Sequence, residues 1–305
     1  MMGAASTFID DRRKDLWRKA LRQWCAALPW LLPTIIGLLL FSAGATIASL
    51  LISFTRWDIL TPAEWIGYDN YVEAFRQPLF WKTMRNTVYY TVVVVPLSVF
   101  SSLLVAILMN QKLRGITLFR TLYFLPQVSS MVAVAVVWYW MYNPEFGLIN
   151  WALSLIGIKG PPWLGSTKWA MPSVILMSLW RALGVQMMIF LAGLQDVPEE
   201  LYEAARIDGA GRFGLFRHIT VPLISPTTFF VVVLAVINSF QVFEQTFVLT
   251  QGGPAYATLT LALYIYQQAF VFWRMGFAAS LAWVLCILVL TATLVQFRFQ
   301  IRWVY

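Results

Sequence analysis

The sequence predicts an all-α membrane protein with six transmembrane helices and both termini in the cytoplasm. Composition, the spacing of apolar runs and the placement of lysine and arginine carry that expectation. Of 305 residues, 60% are apolar, 16% aromatic and only 12% charged, where soluble domains run at roughly 45–50% apolar and 25% charged. A soluble fold of this length has no interior large enough to hide so much apolar surface. Six stretches, 28–54, 85–109, 121–142, 171–194, 221–249 and 277–297, reach the length of about 20 helical residues that a bilayer core requires.

Basic residues gather in the N-terminal segment (Arg12, Arg13, Lys14, Arg18, Lys19, Arg22), around Lys112, Arg114 and Arg120, around Arg206, Arg212 and Arg217, and at Arg298 and Arg302. The other loops, 55–84, 143–170 and 250–276, are longer or poorer in basic residues, and the first carries Asp58, Glu64, Asp69 and Glu73. The positive-inside rule therefore puts the basic loops and both ends in the cytoplasm. The chain divides into a basic segment 1–27, a six-helix domain 28–297 with a cytoplasmic loop at 195–222, and a tail 298–305.

The first span follows a basic segment, as a signal peptide would. Its apolar run is far longer than a signal core of about 7–15 residues, so it reads as a retained span. Ser42, Gly44, Ala45, Ala48 and Ser49 recur in it at helical spacing, a pattern that permits close helix packing. In the outer loops, "WIGYDNYVEAF" (65–75) and "PPWLG" (161–165) mix aromatics with Pro and Gly. They suit an interfacial aromatic belt or a surface that meets an external partner.

Ionisable groups inside a span are costly and mark candidate functional positions. Arg181 in the fourth span and Glu244 in the fifth qualify, although Arg181 sits where snorkelling to the interface would also explain it. Asn238, Gln241, Glu244 and Gln245 fall at spacings of three and four, which places them on one face of a continuous fifth helix. With Gln186 they form a candidate pathway for a hydroxyl-rich ligand, since amides and carboxylates offer directional donors and acceptors. Hydrogen bonding between helices is the alternative reading.

The loop between the fourth and fifth spans, "LQDVPEELYEAARIDGAG", predicts a short helix. Asp196 is its candidate N-cap, Glu199 the capping-box partner and Pro198 a first-turn residue. Gly209 and Gly211 stop it, and "RFGLFRHI" leads to Pro222. At about three turns the helix is too short to stand alone in water. The surface at Ala204 and Ala205, flanked by Glu203, Arg206 and Asp208, is shaped to approach another protein's backbone. A helix resting on lipid would carry larger apolar side chains and mostly basic charge.

Other chemistries find little support. The net charge of +8 is not gathered into the stripe that nucleic-acid binding needs. Cys25 and Cys286 have no metal or redox spacing and read as small apolar fillers; His218 has no ligand partners nearby. The sequence contains neither a phosphate-binding loop nor a Ser–His–Asp set, so no catalytic or metal-ligating residue is assigned. The chain is expected not to be an enzyme.

Glu203-Ala204-Ala205, three residues, Gly209, nine residues, Ile219, one residue, then Val221-Pro222 resembles the EAA loop of ABC-importer permeases, in which Leu usually stands where Val221 does. "YEAARIDGAG" is similar to the carbohydrate-uptake branch, the maltose and glycerol-3-phosphate type, as are residues 238–270, with their Leu-Thr-x-Gly-Gly-Pro turn, and segments 67–75 and 119–126. The resemblance covers most of 28–300. It implies the type I ABC importer permease fold and a bacterial or archaeal cytoplasmic (inner) membrane. It implies coupling to a cytoplasmic ABC ATPase dimer through Glu203, Ala204, Ala205, Asp208 and Gly209, with ATP and Mg held by that partner and no cofactor in this chain. It further implies a second homologous permease, an extracytoplasmic solute-binding protein meeting Gly252, Gly253 and Pro254, and import of a sugar, polyol or glycerol-phosphate compound. An acidic residue at Glu244 is also common in the family. Outside the resemblance, Gly252–Pro254 reads equally as an ordinary turn. A secondary, ion-coupled transporter is the alternative function, but it usually shows more spans and an internal repeat.

Overall fold

The computed structural model describes residues 17, 23–24, 26–111 and 114–303. Arg12, Arg13, Lys14, Arg18, Lys19, Arg22, Cys25 and Lys112 lie outside them. Two compact units, Met1–Ile52 and Ser53–Tyr305, divide the chain. The first contains one long apolar helix, α1 (Ala26–Ile52), with a π-helical stretch at Leu38–Gly44.

The second unit opens with a two-residue antiparallel pair, β1 (Thr55–Arg56) and β2 (Glu64–Trp65), a small departure from the all-α expectation. α2 (Asp69–Arg76) and α3 (Pro78–Met109) follow. Next come α4 (Ile116–Val128), α5 (Met131–Met141), α6 (Leu148–Leu155) and α7 (Ala170–Gln195). α8 (Glu199–Ile207) leads into α9 (Arg212–Leu223), which includes a π turn, and α10 (Ser225–Phe240). α11 (Glu244–Thr250), α12 (Leu261–Tyr266) and α13 (Met275–Trp303) complete the chain.

Four helices, α1, α3, α7 and α13, are long and apolar enough to cross a membrane, and each bent pair supplies a further candidate, up to six. The third expected span is not one rod: α4 and α5 meet at 100°. Ser129 and Ser130 are extended there, with ψ of 146° and 133°. The fifth is not continuous either. α9 and α10 meet at 65°, just after Pro222, which has no N–H for the carbonyl of His218. A second break follows α10.

α3 packs along α7 and α10, and small or hydroxyl-bearing residues allow the approach. A Cβ on Gly184 of α7 would sit 2.7 Å from the carbonyl oxygen of Tyr123 in α4. Ser102 of α3 donates to Gln186 Oε1 of α7 at 3.1 Å, a polar tie between helices. Met109, Leu194 and Ile224 pack together at one end of the bundle, beside the loop that carries α8. At the far end, α2 is tied to the start of α13 by Arg274, which contacts both oxygens of Glu73 at 2.6 Å.

Candidate functional site

α8 starts at Glu199, because Pro198 is extended (ψ 128°) and holds the chain out of the helix before it. The expected cap is corrected by this geometry: Asp196 ends α7 instead, since a residue ahead of proline avoids the helical region and Val197 separates the two helices. Glu199 and Glu200 stand in the first turn and Arg206 in the last, matching the helix dipole. Gly209 takes φ +87°. Its N–H bonds the Arg206 carbonyl at 3.1 Å, and the N–H of Ala210 bonds that of Ala205 at 2.9 Å. This is a Schellman closure, which requires a left-handed residue at the glycine position.

Glu203, Ala204, Asp208 and Gly209 are exposed and Ala205 is half-buried. Tyr202 points the other way and bonds the Thr220 hydroxyl at 2.9 Å, fixing α8 to α9. Two residues that sequence reasoning missed flank the exposed face: Ile207 is 86% and Phe213 72% exposed. Their position within a charged loop was the available signal.

A cavity of about 530 Å³ lies among α3, α4, α7, α10 and α11. Gln186, Asn238, Gln241, Glu244 and Gln245 all line it, together with Arg181. They do not share one helical face, as the continuous-helix reading expected. α10 ends at Phe240 and α11 begins at Glu244, so Gln241 lies in the break. The carbonyl freed there, that of Val242, accepts from the buried Thr260 hydroxyl at 2.9 Å. Asn238, Gln241 and Glu244 stand exposed at the cavity, while Gln186 and Gln245 are half-buried. The Arg181 Nε is buried without a hydrogen-bond partner, and the side chain lines the cavity. Tyr90, Ser98, Gln127 and Ser178 also contribute. Of these, Gln127, an amide beside Pro126 in an apolar run, was recognisable.

Gly252, Gly253 and Pro254 form a tight turn. Gly252 has φ +88°, Gly253 N–H donates to the Thr250 carbonyl at 2.8 Å, and Thr258 Oγ1 donates to the Gly253 carbonyl at 2.8 Å. Buried Asn86 of α3 holds the following strand of loop, donating to the carbonyls of Tyr256 and Leu259 at 2.9 Å each. This turn is at the opposite end of α3 from α8.

The arrangement therefore offers a polar cavity within an apolar bundle, an exposed short helix at one end and a hydrogen-bonded turn at the other. Residues 74–300 match the family model described as the binding-protein-dependent transport system inner membrane component. The chain is 38% identical over 275 residues to the probable ABC transporter permease protein YurN of Bacillus subtilis (strain 168), covering 88% of this chain and 94% of that one. It is 35% identical over 289 residues to the lactose transport system permease protein LacF of Rhizobium radiobacter, covering 92% and 96%. Its fold is similar to a chain in the crystal structure of a bacterial alginate ABC transporter in complex with an alginate pentasaccharide-bound periplasmic protein. The TM-score is 0.84 at 25% identity, over 95% of this chain and 98% of that one.

Proposed function

The chain belongs to the binding-protein-dependent transport system inner membrane components, and on that premise we propose that it is the permease subunit of an ABC importer for a sugar, or for a related polyol or glycerol-phosphate compound. It is a multi-pass membrane protein. The observation that carries the substrate class is the cavity of about 530 Å³ lined by four amide side chains of the sequence reading and Glu244. That volume lies within the range of roughly 300–1,000 Å³ typical of small-molecule sites, and amides and carboxylates suit hydroxyl groups. Named sugar permeases among the relatives, such as the lactose one, support the same class.

The energy comes from a cytoplasmic ATPase dimer that binds ATP and Mg and receives α8 in a cleft, through Glu203, Ala204, Ala205, Asp208 and Gly209. Ile207 and Phe213 add apolar contact. The α8 end of the bundle then faces the cytoplasm, with both termini. Closure of the ATPase moves α8, and the Tyr202–Thr220 bond carries that motion into α9 and on to α10, whose far end forms the cavity wall. A second, homologous permease completes the pathway, and an extracytoplasmic binding protein delivers the solute near Gly252–Pro254.

Capture of the tagged chain from mild detergent tests the assembly. The expected result is a co-purified ATPase and a second permease, both kept in the wild type, with the ATPase lost in Glu203→Lys. A chain that purifies alone and transports when reconstituted alone would overturn the reading and favour a secondary transporter. Uptake by Glu244→Gln and Asn238→Ala tests the cavity: wild-type rates in both would remove these residues from the pathway.

A further inference from the structure

A second pocket of about 530 Å³ lies at the far end of α3 and shares no lining residue with the central cavity. Its walls bring together Lys82 and Arg85 from the first turns of α3, Lys168 from the loop before α7, and Ala255 and Ala257 from the loop after the Gly-Gly-Pro turn. No carboxylate lines it. Among the described residues, the ion pairs at this end are Arg56–Glu64 and Arg274–Glu73, and neither involves these three cations. Lys82 is committed to the loop: its Nζ donates to the Ala255 carbonyl at 2.7 Å and lies 5.9 Å from the Tyr256 ring centre. Arg85 and Lys168 are exposed.

Gathering three like charges in one concave site raises the energy of the folded chain and concentrates a positive potential there. Among the described residues no carboxylate lines the pocket, which leaves the exposed Arg85 and Lys168 available to an anion from outside. We propose that this pocket seats carboxylate side chains of the extracytoplasmic binding protein, with Arg85 and Lys168 as the receiving cations and exposed Tyr256 and Tyr89 at its edge. The inference rests on the importer reading above and adds a docking site to it. Arginine and tyrosine are the residue types enriched in interface hot spots. The separate lining of the two pockets argues against an anionic substrate, which would have to enter the central cavity. Lys82 gives the docking a mechanical consequence, because an anion beside it acts on the loop that it anchors.

The test is ATPase activity of the captured complex in lipid nanodiscs, titrated with the substrate-loaded binding protein that stimulates the wild type. In Arg85→Glu/Lys168→Glu, the half-maximal binding-protein concentration should rise at least about tenfold, with unstimulated activity unchanged. The salt dependence of that concentration should flatten, as expected for lost charge complementarity. Arg85→Gln/Lys168→Gln should fall between the two, which separates a lost docking site from a misfolded chain. An unchanged half-maximal concentration overturns the proposal. So does a shift that occurs only in nanodiscs containing anionic lipid, which would assign the pocket to headgroups. A raised sugar KM with unchanged binding-protein response would assign it to the substrate and overturn the proposal equally. A wild-type complex that responds to no binding protein would instead fail the importer reading, before any substitution is made.

Discussion

Substituting Gly209 separates backbone strain from lost contact at α8, the helix proposed to dock on the ATPase. The residue closes α8 at φ +87°, and a Cβ built on it meets no heavy atom within 4 Å. Within the chain, Gly209→Ala therefore costs only the left-handed conformation, about 1–2 kcal/mol. That lowers the ratio of closed to open terminal turns by a factor of about 5–30. Asparagine tolerates the left-handed region far better than alanine, so Gly209→Asn should recover most of the loss. Two readouts apply: hydrogen exchange at the amides of Gly209 and Ala210, whose bonds close the turn, and stimulated ATPase activity of the captured complex. In the alanine variant, exchange should quicken by about the same factor and stimulation should fall, while the asparagine variant stays near wild type in both. Rapid exchange with unchanged stimulation would show that the partner does not read this turn. Equal loss in the two variants would mean that the absence of a side chain matters, through contact with the partner, and would refute the conformational argument.

Gly184→Val should lower the thermal midpoint of the chain in detergent, because its Cβ would lie 2.7 Å from the Tyr123 carbonyl oxygen and overpacking costs about 1–3 kcal/mol; an unchanged midpoint would mean that α4 is free to shift. Asn86→Ala leaves the Tyr256 and Leu259 carbonyls without their donor, a cost of about 1–3 kcal/mol. Limited proteolysis should then cut the 250–260 loop faster than in the wild type. Thr260→Val removes both the donor to Val242 and the N-cap of α12, so uptake should fall well below that of Thr260→Ser, which keeps the hydroxyl; equal uptake would show that the break needs no such tie.

The existence of the spans was legible because lipid demands about 20 apolar residues whatever the tertiary fold. The helix at 199–207 was legible too, since a proline, acidic first-turn residues and a glycine stop are local signals. Its exact start was not, because Asp196 fits the N-cap pattern and only Pro198 decides against it. The bend between α4 and α5 had a visible signal in Ser129-Ser130 after Pro126, overridden by the apolar run on either side. The break at 241–243 had none, since Val242 and Phe243 are apolar and helical spacing continues through them. The basic pocket escaped for a different reason: the sequence reading puts Lys82 and Lys168 in separate loops, 55–84 and 143–170, and counting cations loop by loop hides their convergence.

The break explains how the cavity can exist at all. Within the bilayer, irregular backbone is tolerated only where protein or a polar cavity satisfies its free groups. At the end of α10 the Val242 N–H still reaches Ser239, at 3.4 Å, and its carbonyl is met by Thr260, 18 residues away. That hydroxyl is one of the groups that satisfy the backbone where the helix stops and restarts. A continuous helix would carry Gln241, Glu244 and Gln245 around its axis at 100° per residue. The interruption instead lets Gln241 leave the helix and starts α11 with Glu244. The five residues thus converge on one cavity although their spacing alone gave the wrong geometry for it. The same break puts the cavity wall at the end of α10, the helix that follows α8 and α9, so under the proposed coupling a displacement of α8 has a short route to the cavity.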